Sequence, residues 1–324
     1  MAGIATKLFS KKGMPVTPQR PILLGIVGDS GCGKSTLSHG LKHLLGRKQV
    51  TEICLDDYHR YDRAERASLG LTPLNPAANN LELMYEQLSL LRQGKSIKKP
   101  VYDHSNGRFA TPATVKPRPF ILVHGLLAYS RPELADLFDL KIFLDPQESL
   151  RLEWKMARDT RKRGYTLEEV EQQIEERRPD SLAYISPQKS QADLIINFYR
   201  PLSLLYNPLL AVRLTPGQHW QWPSFQLDEK ICWKVPAGRA VEISGNINLD
   251  TARKLAEGFS QNFQSGAYSV QLDPANPLKK LGLYSEISGN RSTTSQSSTL
   301  ALTQLLIAGQ LLNPFQNAPQ SRVA

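Results

Sequence analysis

Cysteine is scarce in this chain, with only Cys32, Cys54 and Cys232 among 324 residues. Three cysteines are too few for a secreted disulfide scaffold, and their spacing matches no zinc site, so no structural metal is expected. Also missing is any apolar run near the roughly 20 residues that cross a bilayer. The opening MAGIATKLFSKKG holds too short an apolar stretch for a signal peptide. A cytoplasmic protein with no membrane partner is therefore expected. Acid is in deficit: 30 Asp and Glu stand against 40 Lys and Arg, a formal charge of +10. That surplus suits either a polyanion or a small anionic substrate. Aromatic residues make up only 8% and are not interleaved with the basic ones as in an RNA-binding sheet, which disfavours nucleic acid. What is present is ordinary for a globular protein, with 40% hydrophobic and 22% charged residues and enough length for one large or two medium domains.

Residues 1–20 read as a flexible basic lead. PILLGIV, Pro21 to Val27, is a continuous apolar run suited to a strand buried on both faces. After a glycine-rich turn, Leu37, Leu41, Leu44 and Leu45 recur at helical spacing. QVTEICLDD, FILVHG, DLKIFLD and ADLIINF read as further strands, and LELMYEQLSLLRQG, PQESLRLEWKMARDTRKRG and LEEVEQQIEERR as helices. This alternation predicts an α/β fold, a mostly parallel sheet flanked by helices, over 21–200. Residues 201–285 read as a smaller mixed α/β appendage, with LLAVRL, ICWKV and AVEISG as antiparallel strands and a helix from about Leu249 to Phe263. Residues 286–324 read as a polar, mobile linker, SGNRSTTSQSS, followed by a C-terminal helix.

Gly28 to Ser35, GDSGCGKS, fits G-x-x-x-x-G-K-[ST] between a buried strand and a helix, the context that this phosphate-binding loop requires. Backbone N–H groups of Gly28, Asp29, Ser30, Gly31, Cys32 and Gly33 can turn inward, and the helix N-terminus starting at Lys34, Ser35 and Thr36 adds about half a positive charge. Lys34 would reach the outer phosphates of ATP, and the Ser35 hydroxyl would help hold Mg²⁺. A chance glycine turn is the bland alternative. The loop leaves the acceptor open, since small-molecule kinases, GTPases and motors share it. The absence of an N-K-x-D segment disfavours a GTPase.

The second strand ends in CLDDYHRYDR, where Asp56 or Asp57 could orient an acceptor hydroxyl and take its proton. A polar turn capping the strand is the alternative. His59 and Arg63 would contact substrate, or else be surface groups. Cys32 sits at a helix N-terminus, where the dipole is expected to lower a thiol's pKa.

The blocks GDSGCGKST, ICLDDYH, LNPAANNLELMYEQ, G-K-x-x-x-K-P-x-Y-x-H from Gly94 to His104, KMARD, RGYT and RRPDSLAYISPQKSQADLII together resemble phosphoribulokinase and, more distantly, uridine kinase, over about Ile22 to Ile196. The resemblance implies ATP-dependent phosphorylation of ribulose 5-phosphate, with Mg²⁺. It implies Asp56 as the base, His59, Arg63 and Arg163 as sugar-phosphate contacts, Lys155, Arg158 and Asp159 around the phosphates, and Tyr102 and His104 in a contact segment. Independently, Lys155, Arg158 and Asp159 fall at i, i+3 and i+4 of one helix face, extended by Arg151 and Lys162, which alone would read as a solvated stripe. In one respect the chain departs from the family: a Glu-Gly pair ending the third strand, whose acid supports Mg²⁺, is here His124 and Gly125. Imidazole suits a hard cation poorly, so either another carboxylate such as Asp57 serves or turnover is weakened. The resemblance to plant and cyanobacterial forms further implies a Cys32–Cys54 disulfide switch with thioredoxin as partner. Three readings follow: a sugar-phosphate kinase, a nucleoside kinase, and an ATP-binding regulator without turnover. Homo-oligomerisation is compatible with each.

Overall fold

A computed structural model describes residues 20–201, 210–217, 220, 232–234, 240–262, 278–288 and 291–312. All of the basic lead except residue 20, the last part of the helix expected to end near Phe263, and the chain after 312 lie outside them.

The chain enters through β1 (Ile22–Val27), whose six residues are all buried, and passes through the glycine loop into α1 (Lys34–Leu44). β2 (Val50–Cys54) follows, then a 3₁₀ turn Leu55–Tyr58, α2 (Arg63–Ser68) and α3 (Leu81–Arg92). A hairpin of β3 (Ile97–Asp103) and β4 (Arg108–Val115) leads to β5 (Phe120–Gly125), α4 (Pro132–Ala135) and β6 (Leu140–Leu144). α5 (Glu148–Lys162) and α6 (Leu167–Asp180) form a helical pair ahead of β7 (Leu194–Tyr199). Next come β8 (Ala211–Pro216), β9 (Cys232–Lys234), β10 (Val241–Ile243) and α7 (Leu249–Asn262). The described chain ends with β11 (Leu283–Ser288), β12 (Arg291–Gln296) and α8 (Ser298–Leu312).

One eight-stranded sheet runs in the order β2-β5-β1-β6-β7-β8-β10-β9. Its first five strands are mutually parallel, and β8, β10 and β9 extend it antiparallel. The pleat splits each central strand between two cores. Leu24, Ile26, Leu122 and Ile142 face α1 and α8, whereas Leu23, Val27, Ile121 and Val123 face α3 and α4. Covering on both faces explains why β1 and β5 are nearly all apolar.

Two features differ from expectation. The polar stretch read as a mobile linker is instead a hairpin, pairing Leu283 with Gln296 through to Ser288 with Arg291. The Gln296 amide donates to the carbonyls of Leu278 (2.5 Å) and Leu281 (2.9 Å), which ties the ribbon down. The β3–β4 ribbon was not expected either. Its outer strand is exposed along almost its whole length, so no hydrophobic alternation announces it.

Candidate functional site

The phosphate loop, the 3₁₀ turn carrying Asp56 and the end of β5 meet at the carboxyl edge of the parallel sheet, where such folds place ligands. Glycine is required twice by geometry. Gly31 has φ 89° and a Cβ there would stand 2.8 Å from the Lys155 Cβ, because α5 packs directly over the loop. Gly33 caps α1 in the left-handed region at φ 95°, with open space beside it. The Lys34 ammonium donates to the carbonyls of Gly28 (2.7 Å) and Asp29 (2.8 Å). Asp29 accepts from the Ser30 N–H and from the Ser181 hydroxyl, each at 2.5 Å, so α6 and the π turn after it (Ser181–Ile185) are latched to the loop. Arg151 donates to the Ser30 carbonyl at 3.0 Å and Arg158 to the Ser30 hydroxyl at 3.1 Å. Ser35 is exposed on the first turn of α1, with Thr36 half-buried next to it.

The helix face predicted from spacing exists, but it is buried rather than solvated. Asp159 is 0% exposed, and it accepts from Lys155 (2.6 Å, itself 2% exposed) and from Arg158 (2.7 Å), with Arg163 at 3.4 Å. Burial alone would raise the Asp159 carboxyl, but Arg158 and Lys155 outweigh it and hold it at about 2. Burial also lowers the Lys155 ammonium, against the opposing pull of Asp159. The side chain of Lys162 lies outside the described residues.

On the acceptor side, the Asp56 side chain remains 30% exposed, 3.8 Å from His104. Burial pushes its carboxyl up, yet His59, Lys34, His104 and His124 together bring it below its usual value. Lys34 is thus close enough to act on the Asp56 carboxyl electrostatically. His59 is pushed down to about 4, chiefly by burial, and so is neutral at pH 7. Asn79 donates its amide nitrogen to the carbonyls of Pro73 and Asn75, which leaves its oxygen to accept from His59 Nδ1 at 2.9 Å. His59 thus has Nε2 as a hydrogen-bond acceptor rather than a positive charge. Arg63 donates to the His104 carbonyl at 2.5 Å, clasping the β3–β4 turn at Gly107. Tyr102, 5% exposed, is a hub: its ring lies edge-on to His59, His104 and Phe109, and its hydroxyl accepts from Arg66 at 3.1 Å.

Asp57, named above for the cation, pairs one oxygen with Lys99 and accepts the Tyr102 N–H on the other at 2.8 Å. Both site cysteines are free thiols. At 1% exposure, Cys32 is not the activated thiol that the helix dipole suggested: burial raises it, outweighing Lys34. Cys54 is raised as well, by burial first and then by Asp56 and Asp57.

The sequence reading missed Glu52, Arg66 and Arg177. Glu52 on β2 lies 3.4 Å from His124 and 2.8 Å from Lys42. Arg177 lines a cavity of about 460 Å³ behind Asp29 and Ser30. Spacing carried a signal only for Glu52, two residues before Cys54 and hence on the same face of β2.

A glycine-rich phosphate loop between β1 and α1, with Asp56 at the end of a nearby parallel strand and the basic face of α5 packed over the loop, defines the P-loop α/β kinases. The chain belongs to the phosphoribulokinase / uridine kinase family, whose model matches residues 23–202. It is 41% identical over 227 residues to the phosphoribulokinase of Synechocystis sp., covering 68% of each chain. Against the chloroplastic phosphoribulokinase of Mesembryanthemum crystallinum it is 37% identical and spans 62% of that protein's length. The uridine kinase of Oceanobacillus iheyensis is 33% identical over 186 residues, 56% of this chain and 88% of that one. Among solved structures, phosphoribulokinase from Rhodobacter spheroides superposes with a TM-score of 0.55 at 23% identity, over 73% of this chain and 94% of that one, a likeness of fold.

Proposed function

We propose that the chain transfers the γ-phosphoryl group of ATP to a hydroxyl of a sugar phosphate, with ribulose 5-phosphate as first candidate. The observation that carries this reading is that the phosphate loop with Lys34 and the strand end with Asp56 lie at the same carboxyl edge of the parallel sheet. Lys34 and the loop N–H groups grip the outer phosphates. Asp56, an accessible carboxylate, accepts the hydrogen bond of the acceptor hydroxyl and takes its proton as the oxygen attacks. Arg158 lies close enough to the loop to meet charge developing on the transferred group, and Asp159 holds both Arg158 and Lys155 in place. A charged acceptor is favoured over a nucleoside by Arg163, a guanidinium within electrostatic reach of Asp56.

The Ser35 hydroxyl suits Mg²⁺, which binds through one or two protein oxygens together with nucleotide phosphates. Asp57 reaches the cation only by giving up Lys99. When bound, Mg²⁺ would neutralise charge on the β- and γ-phosphates.

A redox switch with thioredoxin as reductant is proposed for Cys32 and Cys54. Cys32 lies in the loop after β1 and Cys54 ends β2, so a bridge between them would tie the phosphate loop to the strand that leads into Asp56 and would hinder ATP binding. The kinase reading is tested by coupled ADP release with ribulose 5-phosphate and uridine in parallel. Turnover with the sugar phosphate supports it; uridine turnover alone would transfer the assignment to a nucleoside kinase. ATP binding without turnover would favour the regulator reading, for which the His124 substitution speaks.

A further inference from the structure

β5 is the strand between the phosphate loop and the proposed base, and His124 lies near its carboxyl end. In register it stands beside Ile26 of β1 on one side and Cys54 of β2 on the other. Its side chain is 14% exposed, and its Nε2 lies 3.4 Å from Glu52 Oε1. The second Glu52 oxygen accepts from Lys42 of α1 at 2.8 Å. A lysine, a carboxylate and an imidazole thus form a chain from the phosphate-loop helix to the seam between the loop and Asp56, whose carboxyl feels the positive character of His124.

A carboxylate behind one ring nitrogen fixes both the orientation and the tautomer of an imidazole. With Nε2 at 3.4 Å from Glu52, the ring is turned towards β2 near the carboxyl end of β5. Glu52 is depressed to about 2, first through the His124 hydrogen bond, and so is a carboxylate throughout any working pH.

We propose that His124 contacts the transferred phosphoryl group, and that Glu52 is the positioning residue that aims it, Lys42 neutralising the far side of the carboxylate. The ring then lies between two anions, Glu52 and phosphate, as a fixed hydrogen-bonding group; the acceptor's proton still goes to Asp56. The inference rests on the kinase reading, so its test carries a readout independent of turnover.

The variants Glu52→Gln, His124→Gln and the double variant are compared with wild type. In wild type, the His124 ring resonance, identified among six histidines by its loss in His124→Gln, should shift on adding a non-hydrolysable ATP analogue with Mg²⁺. In Glu52→Gln that shift should shrink or change sign. In kinetics, Glu52→Gln should lower kcat at least tenfold with KM for ATP within about threefold, and the double variant should be no slower than His124→Gln. An unmoved His124 resonance overturns the proposal whether or not the protein turns over. Additive losses in the double variant, or a Glu52→Gln kcat within twofold of wild type, overturn it as well. A moving resonance in a protein that phosphorylates neither ribulose 5-phosphate nor uridine would sink the acceptor assignment while sustaining the phosphate contact.

Discussion

Asp56 and Asp159 are both acids near the proposed phosphate-binding groups, yet the structure gives them opposite surroundings. Asp56 keeps an exposed face, whereas Asp159 has none and is saturated by three cations. Asp56→Asn should therefore cut turnover by about 10²- to 10⁴-fold, the usual worth of a general base, and leave ATP affinity unchanged by equilibrium titration. Asp159→Ala leaves Lys155 buried and unpaired, a loss of about 3–5 kcal/mol that chemical denaturation would detect. The pH dependence follows from the Asp159 shift. Its folded value of about 2 lies below the unfolded 3.8, so its stabilisation is complete above pH 3.8 and is lost as pH falls through about 2. Asp159→Asn should be less stable at pH 6, and its deficit should narrow as the pH drops across that window. The role of Asp56 was open to motif reading because strand ends carry chemistry. The neutrality of His59 was not, since it comes from a burial that only the folded chain supplies.

At the scale of elements, the loop and α5 form one unit. Gly31→Ala should destabilise the protein and weaken ATP binding more than Gly33→Ala. The first adds a collision with Lys155 to its positive φ, and the second adds only left-handed strain of about 1–2 kcal/mol. Thermal unfolding and nucleotide titration of the two variants would show the difference. The same contact explains why spacing alone would leave the basic stripe of α5 looking solvated. Helical periodicity identifies which residues share a face, but the partner of that face is a loop more than a hundred residues earlier in the chain. β3–β4 and β11–β12 escaped notice for a related reason. Two-stranded ribbons rich in polar residues are held by backbone pairing and single side-chain clasps, which leave no period in the sequence.

Across the whole molecule, the C-terminal segment is built onto the kinase core. β8 pairs with β7, and α8, nearly all buried, lies on α1. Gly40 makes that approach possible: a Cβ there would occupy the place of the Gln304 amide, which is itself fixed by accepting the Gly282 N–H at 2.8 Å. Gly40→Val should cost about 1–3 kcal/mol by overpacking, read as a lowered Tm, with Gln304→Ala in the same chain recovering part of it. The sequence by itself determined the parallel α/β core, the phosphate loop and the family, because each is written in local pattern: apolar runs, helical spacing and a contiguous motif. Only the tertiary structure decided which carboxylates are accessible, that Cys32 is buried, that Asp57 is tied to Lys99 and that Glu52 stands behind His124. These depend on burial and on pairings between distant strands and helices, and the free energies that set them arise only when the chain has closed on itself.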